Sequence, residues 1–473
     1  MGKESLQRPS IVPEAAWADA GDAARRCLVD LAGRLGMNSS NSSLPPSSDG
    51  PADQSPGTTD ESSSKNESKK KSGGQPGHRR NERPLIPTDD CDDVKSVRPD
   101  VCECGRCLDD VQVQPEPPPH RHQVVDLPEI KPIVTEYQRQ RLQCPDCGRI
   151  VLAKLPAGVP PGGFGPGVIT AVTMLGGMCR LSQRLTVELL KNLLGLSIST
   201  GMISKLQAIG LQALEPVHQD IAVAVRTSDQ IHADETGWRE AGAKAWLWTA
   251  VAPLVTLFLI RKSRSGEVAR ELIGENFQGV VITDRYTSYH WIKETLRQFC
   301  WAHLLRDFQA MIDAGGGAAE IGTILITQGR SLIHEWKKWK AGKITHATFR
   351  RHAARIRREI NSGVIDGLSC GHSKTEGVCT ELLKHFESLW TFLKHELVEP
   401  TNNRAERSVR HGVIWRKVSH GTASAKGSRY VETILSVLAT CKQNAINPFE
   451  FVAQAVKAKL QNQTHPQIIT TNP

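Results

Sequence analysis

No stretch of this 473-residue sequence is both long enough and uninterrupted enough in apolar residues to span a bilayer. The two richest runs, residues 162–179 and 245–260, are broken by glycines and Pro166 in the first and by Pro253 in the second, so neither reads as a spanning helix. A secretory start is lacking too: MGKESLQRPSIVPEAAW has no basic beginning followed by an apolar run and a small-residue cleavage site. The twelve cysteines would suggest disulfides in a secreted protein; without such a start, reduced cytoplasmic thiols are the expectation. Charge shows no extreme either. Lys and Arg number 59 against 50 Asp and Glu, and the resulting +9 is compatible with a polyanionic partner without identifying one.

A chain of this length is expected to hold roughly two to four domains. Residues 1–36 carry Ala23, Cys27, Leu31 and Leu35 at steps of four, the pattern of one helix that caps a domain or binds a partner. Residues 37–84 are rich in Ser, Pro, Gly and charge, a basic linker that cannot bury enough apolar surface to fold alone. Its Lys69, Lys70, Lys71, Arg79 and Arg80 could follow phosphates or simply be solvated.

Residues 85–155 carry the first strong chemical signal. Cys104-Gly-Arg-Cys107 and Cys144-Pro-Asp-Cys147 are two CxxC knuckles separated by 36 residues of strand-like sequence, the pattern of a zinc ribbon. Four thiolates fill a tetrahedral structural site and leave no position open for catalysis. Cys102 is a spare ligand beside the first knuckle. Residues 156–225 include a helix, a turn at Gly195 and a second helix capped at Ser199, which fits a helix-turn-helix or an ordinary helical hairpin. In the first case Arg184, Lys191 and Lys205 are the phosphate contacts.

From Ser228 to Asp284 the order of elements matters most. QIHADE reads as a strand ending near Asp234, AKAWLWTAVA and VTLFLIRK as two more, SGEVARELIG as a helix, and GVVITD as a buried strand ending at Asp284. Three strands, a helix and a strand are the start of a ribonuclease-H-like, retroviral-integrase-like sheet. There the first and fourth strands are neighbours, so Asp234 and Asp284 come within reach of one pair of cations. Glu406, in EPTNNRAERSVRHGV, projects from a later helix with Val409 and Val413 on its face and completes the set. Carboxylate oxygens suit Mg²⁺ or Mn²⁺, and two such ions about 4 Å apart serve phosphodiester chemistry. Each residue also has a structural use: Asp234 in a turn, Asp284 at a strand end, Glu406 in a pair with Arg410. His303, after the strand-like RQFCW, can contact a scissile phosphate or serve as a buried hydrogen-bonded histidine, while Cys300 points into the core.

Several stretches occur together and in order: NSSNSSLPPSSDG, GGQPGH, the paired knuckles, HADETGWR, VVITDRYTSY, CWAHLLRDF, NNRAERSVR and GSRYVETILSVLATCKQNAINPFEF. With them the chain resembles the large TnpC-type transposases of insertion-sequence family sixty-six along nearly its whole length. The resemblance implies a multidomain α/β protein: a zinc ribbon, a helix-turn-helix-like region, a core in two parts (226–320 and 396–460) around a helical insertion (321–395), and a flexible tail (461–473). It implies Asp234, Asp284 and Glu406 as a DDE triad holding two Mg²⁺, and strand cleavage and transfer at the ends of a bacterial insertion sequence. Double-stranded DNA is the implied partner, contacted also by Arg407 and Arg410, with a homo-oligomer on DNA, two small accessory proteins, no membrane, and a cytoplasmic, nucleoid-associated location. The sequence departs from the family at Arg285, where Gly is usual, and in CECGRC, which lacks the usual Pro. Two other functions fit the same residues. One is a DNA-binding remnant without catalysis, against which the intact triad argues; the other is a two-metal nuclease that cuts without joining.

A ribbon this small has little core without its metal. Metal analysis of the segment from about Pro84 to Leu155 is expected to give one zinc per chain, on Cys104, Cys107, Cys144 and Cys147. A segment that folds with no zinc would refute the ribbon.

Overall fold

The computed structural model describes residues 14–18, 24–25, 83–113, 118–160 and 162–469. The helical pattern through Ala23, Cys27, Leu31 and Leu35 and the basic run from Lys69 to Arg80 lie outside the described residues. The chain divides into two compact units, Pro56–Lys131 and the remainder, Met1–Ser55 with Pro132–Pro473. Among the described residues no helix is long and apolar enough to cross a membrane.

In the smaller unit, a bridge between Val101 and Cys107 closes the first CxxC turn. The N–H of Gly105 donates to Cys102 O (2.8 Å) and that of Cys102 to Arg106 O (2.9 Å). Gly105 stands at φ +90°, a conformation a side chain would resist. The second CxxC turn, in the larger unit, joins the antiparallel strands β1 (Arg141–Gln143) and β2 (Ile150–Leu152). Its Cys144 N–H donates to Arg149 O and its Gly148 N–H to Cys144 O, both at 2.9 Å.

The rest of the larger unit is mixed α/β. Helices α1 (Pro166–Gly177), α2 (Gln183–Leu194) and α3 (Thr200–Arg226) come first. Ser182 and Ser199 cap α2 and α3 by accepting from the N–H groups of Leu185 and Met202, both at 3.2 Å. Gly195, left-handed at φ +64°, ends α2. The second helix runs well past the hairpin its sequence suggests. A stripe of Ile203, Leu206, Leu214, Val217, Ile221 and Val225 is buried along its 27 residues, so α3 is a core element rather than a free rod.

The sheet has strands β3 (Gln230–Glu240), β4 (Ala243–Val251), β5 (Thr256–Arg261), β6 (Val280–Thr283) and β7 (Arg297–Phe299) in the order β5-β4-β3-β6-β7. The first three pair antiparallel, and β6 and β7 pair parallel beside β3. β3 continues six residues beyond Asp234 because Ala241 and Gly242, both at positive φ, make a tight hairpin into β4. Helix α4 (Gly266–Ile273) joins β5 to β6.

The free edge of β5 is closed by α10 (Ala425–Gln443). The N–H groups of Thr256, Phe258 and Ile260 donate to Thr440 (3.1 Å), Ser436 (2.9 Å) and Glu432 (2.7 Å). Alternate strand residues advance about 6.6 Å and helix residues four apart about 6 Å, so the two ladders match. An edge that would otherwise invite pairing is thereby used up. The sheet, α1, α3, α10 and α11 (Pro448–Leu460) share one hydrophobic core, which includes Val172, Val217, Leu257, Ile434 and Val452. Beyond α11, Ile468 is buried and His465 meets Asp220 at 2.7 Å, so the described end of the chain is packed down.

A second core lies between the residues 280–299 side of the sheet and four helices that follow: α5 (Trp301–Ala314), α6 (Gly316–Lys340), α7 (His346–Asp366) and α8 (Ser373–Lys384). Val280, Ile282 and Phe299 face it, while Val281 faces the first core, as strand alternation requires. After these helices α9 (Asn403–Ser419) returns the chain to β3 and β4.

Candidate active site

Register brings the two aspartates together. Gln230, Ile231 and His232 pair with Val280, Val281 and Ile282, and the same 50-residue offset carries Asp234 to Asp284, two steps beyond the last pair. Adjacent strands lie about 4.8 Å apart, so Asp234, within β3, and Asp284, just past β6, leave neighbouring strands where their pairing ends. Asp284 Oδ1 accepts the N–H of Tyr286 (2.9 Å), which turns the chain at once out of the strand. Arg297, buried in β7, clasps that turn through Thr283 Oγ1 (3.2 Å), Asp284 O (3.0 Å) and Tyr286 O (3.2 Å). Its burial lowers even a guanidinium to about 10.

Glu406 is brought in by its helix. Asn402, fully buried, donates its side-chain N–H to Ala233 O (2.7 Å), and its backbone N–H meets Cys300 Sγ (3.1 Å). The N–H of Trp301 reaches Pro400 O (2.9 Å), and that of Glu406 returns to Asn402 O (3.2 Å). One asparagine thus ties the start of α9 to the residue before Asp234 and to the start of α5. The electrostatics agree with the convergence. Burial, then the charges of Glu235, Asp284 and Glu406, raise the Asp234 carboxyl well above its ordinary range.

His303 Nδ1 and Arg306 both stand 3.4 Å from Glu406 Oε1. The His303 nitrogen is buried without hydrogen-bond geometry, and desolvation followed by Arg306 holds the imidazole below its usual pKa. Donor atoms of Cys300, His303 and Glu406 lie within 4.8 Å of one another. The Cys300 thiol is fully buried, however, and burial pushes it up to about 12, so it is a poor source of thiolate. Arg285 spends its charge on Asp307 (2.8 Å) and on Glu381.

A buried acid beside the site that sequence reasoning missed is Glu235. Next to Asp234 in the strand, it projects from the opposite face. It is buried, with Arg264 on Oε1 (2.9 and 2.6 Å) and the Tyr289 hydroxyl on Oε2 (2.6 Å). Arg264 in turn covers the rings of Trp246 and Tyr286. The network joins β3 to the turn after Asp284. The available signal was a second carboxylate in HADE, on a strand face that otherwise carries Ile231 and Ala233.

The other candidates are dispersed. Arg184 and Lys191 are exposed on α2, Lys205 on α3, and Arg407 and Arg410 on α9, the helix of Glu406. Cys104, Cys107, Cys144 and Cys147 form no disulfide. Each CxxC turn carries one thiol with a lowered pKa: Cys104 through the backbone of Arg106 and then Cys102, and Cys144 through the backbone of Cys147 and then Asp146.

A mixed α/β sheet with a helical region and acids gathered at its parallel strand ends is compatible with a transposase, and comparison with known proteins identifies the family. Transposase IS66 family matches residues 182–430, from the cap of α2 into α10, with Asp234, Asp284 and Glu406 inside the match. The chain belongs to this family. A family of unknown function (DUF6444) matches residues 14–84. Among curated relatives from Sinorhizobium fredii (strain NBRC 101917 / NGR234), the chain is similar to uncharacterized protein y4hP, 22% identical over 416 residues, covering 77% of this chain and 72% of the relative. It is also similar to uncharacterized protein y4qI, 26% identical over 268 residues, covering 49% of this chain and 48% of the relative. The chain thus spans about half the length of y4qI.

Adjacent carboxylates should respond oppositely to neutralisation. Without divalent metal, Asp234→Asn is expected to raise the melting temperature by relieving like-charge repulsion. Glu235→Gln is expected to lower stability by about 1–3 kcal/mol by breaking a buried charged network. Denaturant melts of both variants check this, and a loss of stability in Asp234→Asn comparable to that in Glu235→Gln would make Asp234 a structural group.

Proposed function

We propose that this chain is a DNA transposase of the DDE type, with a ribonuclease-H-like core whose Asp234, Asp284 and Glu406 hold two Mg²⁺ or Mn²⁺ ions. The observation that carries the reading is the convergence of three carboxylates from β3, the end of β6 and the first turn of α9, felt at Asp234 as a strongly raised pKa. Acids brought together at such a cost fit a divalent cation, whose charge would reverse the repulsion, and oxygen donors suit Mg²⁺. The order β5-β4-β3-β6-β7, antiparallel then parallel, supports the core assignment. When bound, the ions supply activation of the attacking oxygen and charge stabilisation of the leaving one.

The chain's own groups do the rest. The Arg297 clasp and the Asn402 tie keep the acids in place before DNA arrives. His303, its pKa held down by burial and its Nδ1 buried without a hydrogen bond, can take a hydrogen bond from a group at the Glu406 edge. Hydrolysis cuts the element end, and the freed 3′-hydroxyl then attacks a phosphodiester of target DNA, bonding to its phosphorus as the target's P–O3′ bond breaks and that oxygen leaves as a 3′-hydroxyl. Arg184, Lys191 and Lys205 on the α2–α3 pair, with Arg407 and Arg410 on α9, contact the duplex. One zinc on the four knuckle cysteines, oligomerisation on DNA and a need for accessory proteins belong to the same reading.

The test uses the purified full chain, DNA carrying the element's own ends, and Mg²⁺. Asp234→Asn, Asp284→Asn and Glu406→Gln should each abolish strand cleavage and leave end binding intact, because size is kept and one metal-binding charge is lost. Cleavage near the wild-type rate in any of the three removes that residue from the triad. Cleavage by wild type without joined products would reassign the chain as a nuclease.

A further inference from the structure

Between residues 330 and 358 the sequence holds ten Lys and Arg against one acid, Glu335, a net +9 that equals the formal charge of the whole chain. The rest of the protein is therefore neutral in sum, and the positive excess sits on two packed helices of the second core. On α6, Arg330, His334 and Lys337 recur at steps of four and three; on α7, Arg351, Arg355 and Arg358 do the same. Such spacing sets three groups along one face of each helix. Facing residues line a cleft of about 530 Å³ that includes His334, Glu335, Arg351, His352, Arg355 and Arg358.

The cleft's acid is already neutralised. Glu335 meets Lys338 (2.8 Å) and His352 (2.7 Å), and these two bonds lower its pKa. Arg357 is taken by Glu387 and the rings of Phe386 and Trp390. Arg330, Lys337, Arg351, Arg355 and Arg358 are exposed, and among the described residues no carboxylate pairs with them. The apolar residue in the lining, Ile356, is buried, so the cleft offers no apolar anchor of the kind a protein interface is built on.

We infer that the α6–α7 cleft is a sequence-independent binding site for the phosphate backbone of duplex DNA, separate from the carboxylate site and from α2–α3. Arg351 to Arg358 span about 10 Å along α7, over which one strand of a duplex presents about three phosphates. The inference rests on the DNA-transposase reading for its ligand and tests independently of it, since binding needs no cleavage.

The experiment measures equilibrium binding of the full chain to a fluorescent duplex of arbitrary sequence, in magnesium-free buffer over a range of salt. The triple variant Arg351→Gln, Arg355→Gln, Arg358→Gln should reduce the slope of log K against log salt by about 2–3 and weaken binding at least about tenfold at low salt. The matching triple Lys variant should retain the slope. Removing the same charge at Lys442, Lys457 and Lys459 should leave it unchanged. An unchanged slope in a normally folded Gln triple overturns the inference, as does an equal loss in the α10–α11 control, which would reduce it to net charge. Loss of binding to polyglutamate with DNA binding intact would instead identify an acidic protein partner. Should the carboxylate variants cleave normally while the slope falls as expected, the cleft stands and the triad reading fails.

Discussion

Like charges held at one end of a sheet repel, and the carboxylate-bearing end of this protein is organised around resisting that repulsion. Asp234 and Asp284 cannot separate without breaking the β3–β6 pairing, which is continuous with two cores. Glu406 cannot withdraw without releasing Asn402 from Ala233 and Cys300. Arg306 reaches Glu406 (3.4 Å), but the other nearby cations are held elsewhere: Arg297 by three oxygens of the turn, Arg264 by Glu235, and Arg285 by Asp307 and Glu381. Asp234 therefore remains under-neutralised, which is the condition that favours a bound cation over an internal ion pair.

The same constraint explains why the sheet sits between two cores. Its antiparallel side is buried by α3, α10 and α11, with the β5 edge closed by Thr440, Ser436 and Glu432. Its parallel side is stiffened by the helices from α5 to α8, and there Gln298 holds Leu389 and Phe392 through both ends of its amide. Strand ends braced from both faces leave the carboxylates little freedom to relax apart.

Much of this was legible in the sequence where the signal is local. Alternation and apolar runs identify the strands, Ser199 the start of α3, and Asp284 the end of β6. The unread parts depend on contacts between distant segments. Nothing local in HADE tells that Glu235 meets Arg264 and Tyr289, 29 and 54 residues away. Arg285, a departure beside the second aspartate, is explained only by Asp307 and Glu381 arriving from later helices. β3 outruns Asp234 because Ala241 and Gly242 form the turn, although Gly237 and polar residues interrupt its apolar pattern. Helix α3 extends to Arg226 despite Pro216 because its buried stripe outweighs one lost backbone bond.

On the proposed reading, three residues from three elements form one divalent-cation site. Anomalous scattering from crystals of the full chain soaked in Mn²⁺ tests it most directly. Two peaks about 4 Å apart are expected, coordinated at about 2.1 Å by oxygens of Asp234, Asp284 and Glu406. A peak held instead by Cys300, His303 and Glu406, with both aspartates uncoordinated, would contradict it.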